Sequence, residues 1–263
     1  MTEPAPQLPA PEPESDVKLS FMEHLRDLRV RLGRALLGVV IGMAAVGGFV
    51  TDIFDWLMAP VRAALPEGVK LVYLDPIEPW MVYLKVAIYG GIFAALPWVL
   101  YQLWLFIAPG LYKREKRILL PFLASGTLLF FAGAAFCRYV VMPPAFPAML
   151  GIADLDTLAP MLSMSATLGI VLALLLGFGI VFEVPVVIAF LAMIGVVSAA
   201  GLSKYRRVAI IVNVTAAAIL TPTGDPVNLA LMAVPMILFY EIGILLARIL
   251  GKKPAPEQAI VKA

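Results

Sequence analysis

The chain alternates long apolar runs with short polar segments, and most runs are longer than a helix in a soluble domain needs. A helix crosses the roughly 30 Å hydrocarbon core of a bilayer with about 20 largely apolar residues. Six runs come near that length, namely 33–51, 84–108, 118–142, 164–197, 208–220 and 227–247. The pattern predicts an all-α integral membrane protein with six transmembrane helices. The short fifth run predicts local bilayer thinning, and the long fourth run predicts a tilted helix.

Composition supports a membrane protein and separates two tails from the apolar domain. Hydrophobic residues make up 62% of the chain and charged residues 14%, against roughly 45–50% and about 25% in soluble domains. Residues 1–18 are rich in Pro, Glu and Ala without apolar periodicity, and residues 251–263 are similar. We therefore expect a disordered tail at 1–18, a six-span domain at 19–250 and a flexible tail at 251–263. The first segment lacks the basic and apolar regions of a cleaved signal.

The cations predict the orientation of the spans. With the N-terminus in the cytoplasm, only four of the 20 Lys and Arg residues face the other side, and these are Arg62, Lys70, Lys85 and Arg138. Cytoplasmic loops carry an excess of Lys and Arg in membrane proteins. The distribution predicts that both termini lie in the cytoplasm, which makes the KREKR segment at 113–117 cytoplasmic.

The even-numbered spans each contain an internal proline, at Pro97, Pro185 and Pro235. Each lies some 12–13 residues before the predicted cytoplasmic end of its span. Proline removes a backbone hydrogen bond and kinks a helix. Three kinks at one depth would bow the bundle into a cup. The alternative is that proline is simply commoner in membrane helices than in soluble ones.

Few residues could carry chemistry inside the membrane. One His and one Cys leave almost nothing for a His/Cys metal site and exclude an intrachain disulfide, and we expect no cofactor and no nucleic-acid partner. Glu183 lies near the middle of the fourth span, where an unpaired charge costs several kcal/mol (roughly 2.5–3.5), so it predicts a functional site. The alternative is a protonated acid hydrogen-bonded to a neighbouring helix. Glu241 lies nearer the cytoplasmic end, where it can reach lipid headgroups or Arg248, and it is expected to be a structural residue.

The segment 20–32, SFMEHLRDLRVRL, predicts an amphipathic helix that continues into the first span. Ser20 and Glu23 have the spacing of a capping box. Asp27 precedes Arg31 by four residues, which favours an intrahelical ion pair. The alternative to a binding surface is an ordinary solvated face, and His24 is expected to be a surface or capping side chain. The apolar residues of this segment, predicted to share one helical face, are Leu25, Leu28 and Leu32.

Several sequence blocks, in this order, resemble the TatC family, whose members are the large subunit of the twin-arginine protein translocase. The blocks are HLRDLRVRL at 24–32, YQLWLFIAPGLYKREKR at 101–117, FEVP at 182–185, KYRR at 204–207, and TPTGDP with YEIG between 221 and 243. The resemblance covers about residues 19–250. It implies a non-enzymatic receptor in the bacterial inner membrane that binds twin-arginine signal peptides. It also implies docking of the single-span TatA and TatB subunits, contact with membrane lipid, association with other copies of itself, and export of folded proteins driven by the proton-motive force.

The resemblance also implies roles for particular residues. Asp27, Arg29 and Glu115 correspond to the signal-peptide site, and Asp27 stands where the family more commonly has Glu. Carboxylates recognise guanidinium groups in bidentate geometry. A single carboxylate among cations can therefore serve to bind an arginine of the signal peptide. The cations around Glu115 are expected to turn toward lipid headgroups. Glu183 and Pro185 correspond to a polar or partner-docking position within the membrane. The residues of structural or loop motifs are Pro60, Phe106, Pro109 and Asp225.

Two other classes of protein remain as alternatives. A secondary transporter would use Glu183 as a proton or cation site and would show strong internal repeats. Only a short echo, GIFAALP at 91–97 and GIVFEVP at 179–185, supports it. An intramembrane hydrolase needs a nucleophile and a base within reach of each other. His24 precedes the first span, so a histidine-based site inside the membrane is not expected.

Overall fold

The computed structural model describes residues 21–107, 119–151, 161–220 and 226–251, and these residues are almost entirely helical. Within those ranges there is no β-strand, only a parallel bridge between Val72 and Ser163. The all-α prediction is therefore confirmed. The helices are α1 (Phe21–Val46), α2 (Val50–Ala64), α3 (Glu78–Ile107), α4 (Leu119–Phe136), α5 (Met142–Leu150), α6 (Met164–Met193), α7 (Ala199–Lys204), α8 (Arg206–Leu220) and α9 (Pro226–Leu250).

Five helical segments in the described part of the chain are long and apolar enough to cross a bilayer. They are Met22–Ala64, Glu78–Phe106, Leu120–Leu150, Met164–Met193 and Leu229–Leu250. The predicted fifth span at 208–220 corresponds to α8, which has 15 residues. Its rise of about 22 Å is short for a bilayer crossing, so length and composition alone support five crossings.

The first helical segment does not end at residue 51, where the sequence pattern placed the end of the first span. A 3-10 turn at Gly47–Phe49 joins α1 to α2, and the helix continues to Ala64. Charged residues follow the predicted end of the span, and they lie on the exposed side of α2, where Arg62 and Asp55 form an ion pair at 2.8 Å. The opposite side of α2 is buried, with Met58 and Val61 fully inaccessible. The helix persists because its amphipathic face packs against the bundle.

The third segment also runs past its predicted end at residue 142. A π-helical turn at Cys137–Val141 joins α4 to α5, which continues to Leu150. Proline is tolerated in the first turn of a helix because its missing N–H would have no intrahelical partner there. Pro143 lies in the first turn of α5 and Pro147 lies inside it, so the prolines after residue 142 do not end the helical segment.

Helix α6 forms the centre of the bundle, and more than half of its residues are buried. It packs between α4 and α9, and the rings of Phe182 and Phe239 lie 4.2 Å apart. It ends at Met193, four residues before the predicted end. Gly195 has φ +83°, and Val196 N–H donates to the carbonyl of Leu191 at 2.9 Å. This is a Schellman motif, so a left-handed glycine ends the helix although apolar residues follow.

Helices α1 and α3 pack with very little space between their backbones. A Cβ atom placed on Gly91 would lie 2.7 Å from the backbone nitrogen of Met43. One placed on Gly42 would lie 2.7 Å from the carbonyl oxygen of Gly91. Small residues allow such close approach between membrane helices, where van der Waals packing drives association.

The three prolines expected to kink the even-numbered spans lie inside α3, α6 and α9. Pro97 precedes the end of α3 by 10 residues, Pro185 precedes the end of α6 by eight, and Pro235 precedes the end of α9 by 15. The three prolines therefore lie at unequal distances from the ends of their helices, whereas the predicted boundaries placed all three at nearly the same distance. The cupped shape stays a prediction.

Candidate functional site

One end of the bundle, where α1 begins and α3 ends, carries a polar helix face turned toward a neighbouring helix. We call this end the α1 end. Asp27 and Arg31 are partly buried, with side chains 28% and 18% exposed. The three leucines predicted to form the apolar face are instead exposed, Leu25 by 42%, Leu28 by 40% and Leu32 by 66%. An apolar side chain is stable against lipid, so the polar face of α1 is the one that packs inward.

Aromatic contacts hold this part of α1 against α3. The ring of His24 stacks on Phe106 with centroids 4.4 Å apart. The indole Nε1 of Trp98 donates to the carbonyl oxygen of Arg34 at 2.9 Å. The two contacts lie on either side of Asp27 and Arg31 along α1. His24 is therefore a packing residue, and Phe106, which the sequence indicated as part of a loop motif, holds this turn of α1 against α3.

Asp27 already has a cationic partner in its own helix. Arg31 Nε donates to Asp27 Oδ2 at 2.7 Å, which confirms the predicted pair. Arg29 is exposed on another side of α1. Asp27 is therefore held in one orientation by Arg31, and a second guanidinium would have to share or displace this contact.

Gln102 is a polar residue of this region that the sequence pattern did not single out. It lies four residues after Trp98 and four before Phe106, so all three share the face of α3 that packs on α1. Its side chain is 3% exposed, and within the described residues its Oε1 accepts no hydrogen bond. The i, i+4 spacing with two aromatic residues is the signal that could have identified it.

Glu183 lies in a separate region, between α6 and α4. Its carboxylate faces Gly126, where a Cβ atom would lie 3.0 Å from Glu183 Oε2. Glu183 Oε1 has no hydrogen-bond partner among the described residues, and neither does the buried Oγ1 of Thr127 beside Gly126. Pro185 is buried in the same helix. Glycine at 126 therefore leaves room for an acidic side chain that the described part of the bundle does not neutralise.

The sequence placed Arg248 within predicted reach of Glu241, but in the structure Glu241 pairs with a different arginine. Arg206 Nη2 donates to Glu241 Oε2 at 2.8 Å, which links α8 to α9. Arg248 instead lies 3.5 Å from Ser203 Oγ. Both Glu241 and Arg206 are more than 40% exposed, so this ion pair contributes little to stability.

At the opposite end of the bundle, Glu78 fastens the loop before α3 to the start of α6. Glu78 Oε1 accepts hydrogen bonds from Ser163 Oγ at 2.7 Å and from Ser165 N–H at 2.8 Å. Glu78 Oε2 accepts one from Leu74 N–H at 2.7 Å. Lys85 Nζ donates to Ser165 Oγ at 2.7 Å. An acidic residue at a helix start is a common sequence feature, and it did not predict this link across the bundle.

The remaining predicted site residues are divided between described and undescribed segments. Pro60 is buried inside α2. Pro109, Glu115 and Asp225 lie outside the described residues. The described residues contain no group of three or more His, Cys, Asp or Glu side chains that could hold a metal ion.

Comparison with known proteins agrees with the motifs and the fold. The family model "TatC: Sec-independent protein translocase protein (TatC)" matches residues 23–235. The chain is 43% identical to the Sec-independent protein translocase protein TatC of Koribacter versatilis, over 86% of this chain and 84% of that protein. It is 38% identical to the TatC protein of Aquifex aeolicus, over 89% of this chain and 97% of that protein.

A solved structure supports the same relationship. The crystal structure of the twin arginine translocase receptor TatC superposes with a TM-score of 0.76 at 38% identity, covering 87% of this chain and 99% of that one. Both sequence and fold therefore agree over most of the chain, and this multi-span helical membrane protein, like the protein translocase components it matches, belongs to the TatC family.

Proposed function

We propose that this protein is the receptor subunit of a twin-arginine translocase and binds twin-arginine signal peptides at the α1 end. The observation that carries the proposal is the inward-facing carboxylate of Asp27, held between two aromatic contacts with α3. The name of the related crystal structure describes a twin arginine translocase receptor. The proposed protein has six spans, with α8 as a short fifth crossing, and both termini in the cytoplasm of a bacterial inner membrane.

The proposed signal-peptide site uses two carboxylates, Asp27 and Glu115, with Arg29 beside them. A pair of guanidinium groups is best recognised by carboxylates that each accept two hydrogen bonds. Glu115 is four residues before Leu119, the first residue of α4, so covalent reach supports its lying at the α1 end. Arg31 holds the Asp27 carboxylate in one orientation until a peptide arginine shares it.

Peptide binding tests this function directly. Purified protein should bind a twin-arginine signal peptide more tightly than the same peptide with two lysines, because lysine cannot form a bidentate contact. Isothermal titration calorimetry or fluorescence anisotropy in detergent would measure the difference. Equal affinity for the two peptides would contradict the receptor function and leave the transporter alternative in place.

We further propose that Glu183 is the polar contact for the membrane helix of a TatA or TatB partner. The proposed complex contains further copies of this chain, and it uses the proton-motive force for transport. The unpartnered Glu183 Oε1, in a carboxylate packed against Gly126, supports it, because a polar side chain of a docking helix could complete the hydrogen bonding there. Hydrogen bonds between membrane helices contribute about 0.6 kcal/mol on average and up to about 1–2 kcal/mol. That is enough to set the register of a helix that must also dissociate.

Substitution of Glu183 separates docking from proton transfer. We expect Glu183→Ala to leave membrane insertion and twin-arginine peptide binding near normal while weakening or shifting crosslinks to the partner helix. Glu183→Gln keeps a hydrogen-bonding group but cannot titrate. Transport by the Gln variant at the parent rate indicates a docking contact, and failed transport with intact crosslinks indicates a proton site. Full transport by the Ala variant with unchanged crosslinks would contradict both roles.

The proposed orientation predicts a labelling pattern. In a Cys137→Ala background, single cysteines at Ser15 and Glu257 should react with membrane-impermeant reagents only from the cytoplasmic side. Cysteines at Glu67 and Asp154 should react only from outside, because the positive-inside distribution places their loops there. Labelling of the Glu67 and Glu257 positions from the same side would rule out six spans.

A further inference from the structure

Arg138 is a cation in the membrane domain for which the described residues provide no carboxylate partner. It lies in the π-helical turn Cys137–Val141 at the end of α4. Its Nη2 donates to the backbone carbonyl of Trp56 at 2.9 Å, and its Nε is buried without a hydrogen-bond partner among the described residues. π-helical turns recur at functional sites because the extra residue redirects a side chain. The guanidinium therefore keeps donor capacity that an anion can use.

The position of Arg138 along α4 corresponds to the level of lipid headgroups. It follows Leu119, the start of α4, by 19 residues, which is about 28 Å of helix and close to the roughly 30 Å hydrocarbon thickness. Its guanidinium lies 5.0 Å from the ring centroid of Trp56 and 5.4 Å from that of Tyr139. Trp and Tyr are enriched at this level of membrane proteins.

On the side of Arg138 toward the middle of α4, an apolar cavity of about 360 Å³ extends between α2, α3, α4 and α6. Its lining includes Phe131 and Ala135, which lie within two turns of Arg138 toward the middle of α4, and Phe93 and Leu172 on neighbouring helices. Phe131 is 42% exposed and Trp56 is 47% exposed, so the cavity opens toward the surrounding lipid. The charge is thus at the headgroup end and the apolar space is on its hydrocarbon side.

We propose that this cavity is a phospholipid site, in which Arg138 binds the headgroup phosphate and one acyl chain occupies the cavity. Arg forms bidentate hydrogen bonds with phosphate, and basic pockets between membrane helices bind lipid headgroups. The volume is in the range of small-molecule sites, roughly 300–1,000 Å³. A lipid joins an apolar chain to an anionic phosphate, so an apolar space on the hydrocarbon side of a cation matches a lipid better than it matches an apolar partner helix.

Among the described residues, the carboxylate nearest to Arg138 in the sequence of α2 already has another partner. Asp55 is adjacent to Trp56 in α2, but its carboxylate accepts from Arg62 Nη2 at 2.8 Å. Arg62 is a matched control because it has a carboxylate partner and its guanidinium also lies near an aromatic ring, 5.7 Å from that of Phe54. The two arginines differ in the property that the proposal requires, the lack of a carboxylate partner among the described residues.

Native mass spectrometry of the purified full chain, titrated with phosphatidylglycerol in detergent, tests the site. We expect one tightly bound phosphatidylglycerol, and about 10-fold or greater weakening in Arg138→Gln, since hydrogen bonds to charged groups are lost. Arg62→Gln should bind like the parent. Ala135→Phe, which fills the cavity and keeps Arg138, should also weaken binding, and it tests the site if Arg138→Gln fails to fold. A diacylglycerol with the same chains should bind poorly because it lacks the phosphate.

Two results would overturn the proposal. One is phosphatidylglycerol binding that neither Arg138→Gln nor Ala135→Phe changes, or that the diacylglycerol matches. The other is unchanged lipid binding by Ala135→Phe together with lost crosslinks to a partner membrane helix, which would assign the cavity to protein docking.

Discussion

Gly91→Ala is expected to destabilise the protein by about 1–3 kcal/mol, the usual cost of forcing extra volume into a packed interface. The new methyl group would lie 2.7 Å from the backbone nitrogen of Met43 and 2.8 Å from the carbonyl oxygen of Val39. Both are backbone atoms of α1, which cannot move aside as a flexible side chain could. The two helices would have to separate along their whole contact. Thermal unfolding in detergent, followed by size-exclusion chromatography after heating, would measure the loss.

The same substitution at Gly33 is the matched control. Gly33 lies in α1, is exposed, and a Cβ atom there would meet nothing within 4 Å. Alanine stabilises an exposed helix position relative to glycine by roughly 0.5–1 kcal/mol. The two variants should therefore shift the unfolding temperature in opposite directions. A stabilised Gly91→Ala variant would show that α1 and α3 are farther apart than the structure places them.

Glu115→Gln is expected to weaken twin-arginine peptide binding by about 1.5–3 kcal/mol, the usual contribution of a hydrogen bond to a charged group. This corresponds to roughly 10- to 150-fold in Kd. Glutamine keeps the size of the side chain but removes the negative charge that a guanidinium requires. Asp27→Glu should be nearly neutral, because it keeps the carboxylate and lengthens its reach by one methylene. Titration of the same labelled peptide into each variant would give the affinities.

Glu67→Gln serves as the control for charge removal, since Glu67 lies in the loop after α2, away from the α1 end. It should leave peptide affinity unchanged. An affinity of the Glu115→Gln variant that matches the parent for both twin-arginine and twin-lysine peptides would remove Glu115 from the site. Binding would then depend on Asp27 and on other groups of the α1 end.

The family and the helical class were readable from the sequence because they depend on patterns within single segments. Long apolar runs predict helices wherever backbone groups must be satisfied inside lipid. The blocks around Asp27, Glu115 and Glu183 were sufficient to indicate the TatC family before any fold was known. The Asp27–Arg31 pair was predictable too, because an i, i+4 contact is set by the geometry of one helix.

Helix ends were less predictable, since neighbouring elements decide them. The apolar run ends at residue 51, before Asp55 and Arg62, but the buried side of α2 keeps the following segment helical. Apolar residues after Met193 suggested a longer α6, but the left-handed Gly195 ends it. A hydropathy pattern averages over such positions and contains no information on what the far side of a helix contacts.

The sequence by itself determined that α1 has a polar and an apolar face, while the tertiary structure decided which face turns inward. In a soluble protein Leu25 and Leu28 would be buried, whereas here they are exposed and Asp27 faces α3. The same holds for the contacts of Arg206 with Glu241 and of Glu78 with Ser163, which join residues far apart in the chain. The physical reason is that lipid accepts apolar side chains as readily as a protein core does. Polarity therefore specifies two faces, and only the packing of neighbouring helices assigns them.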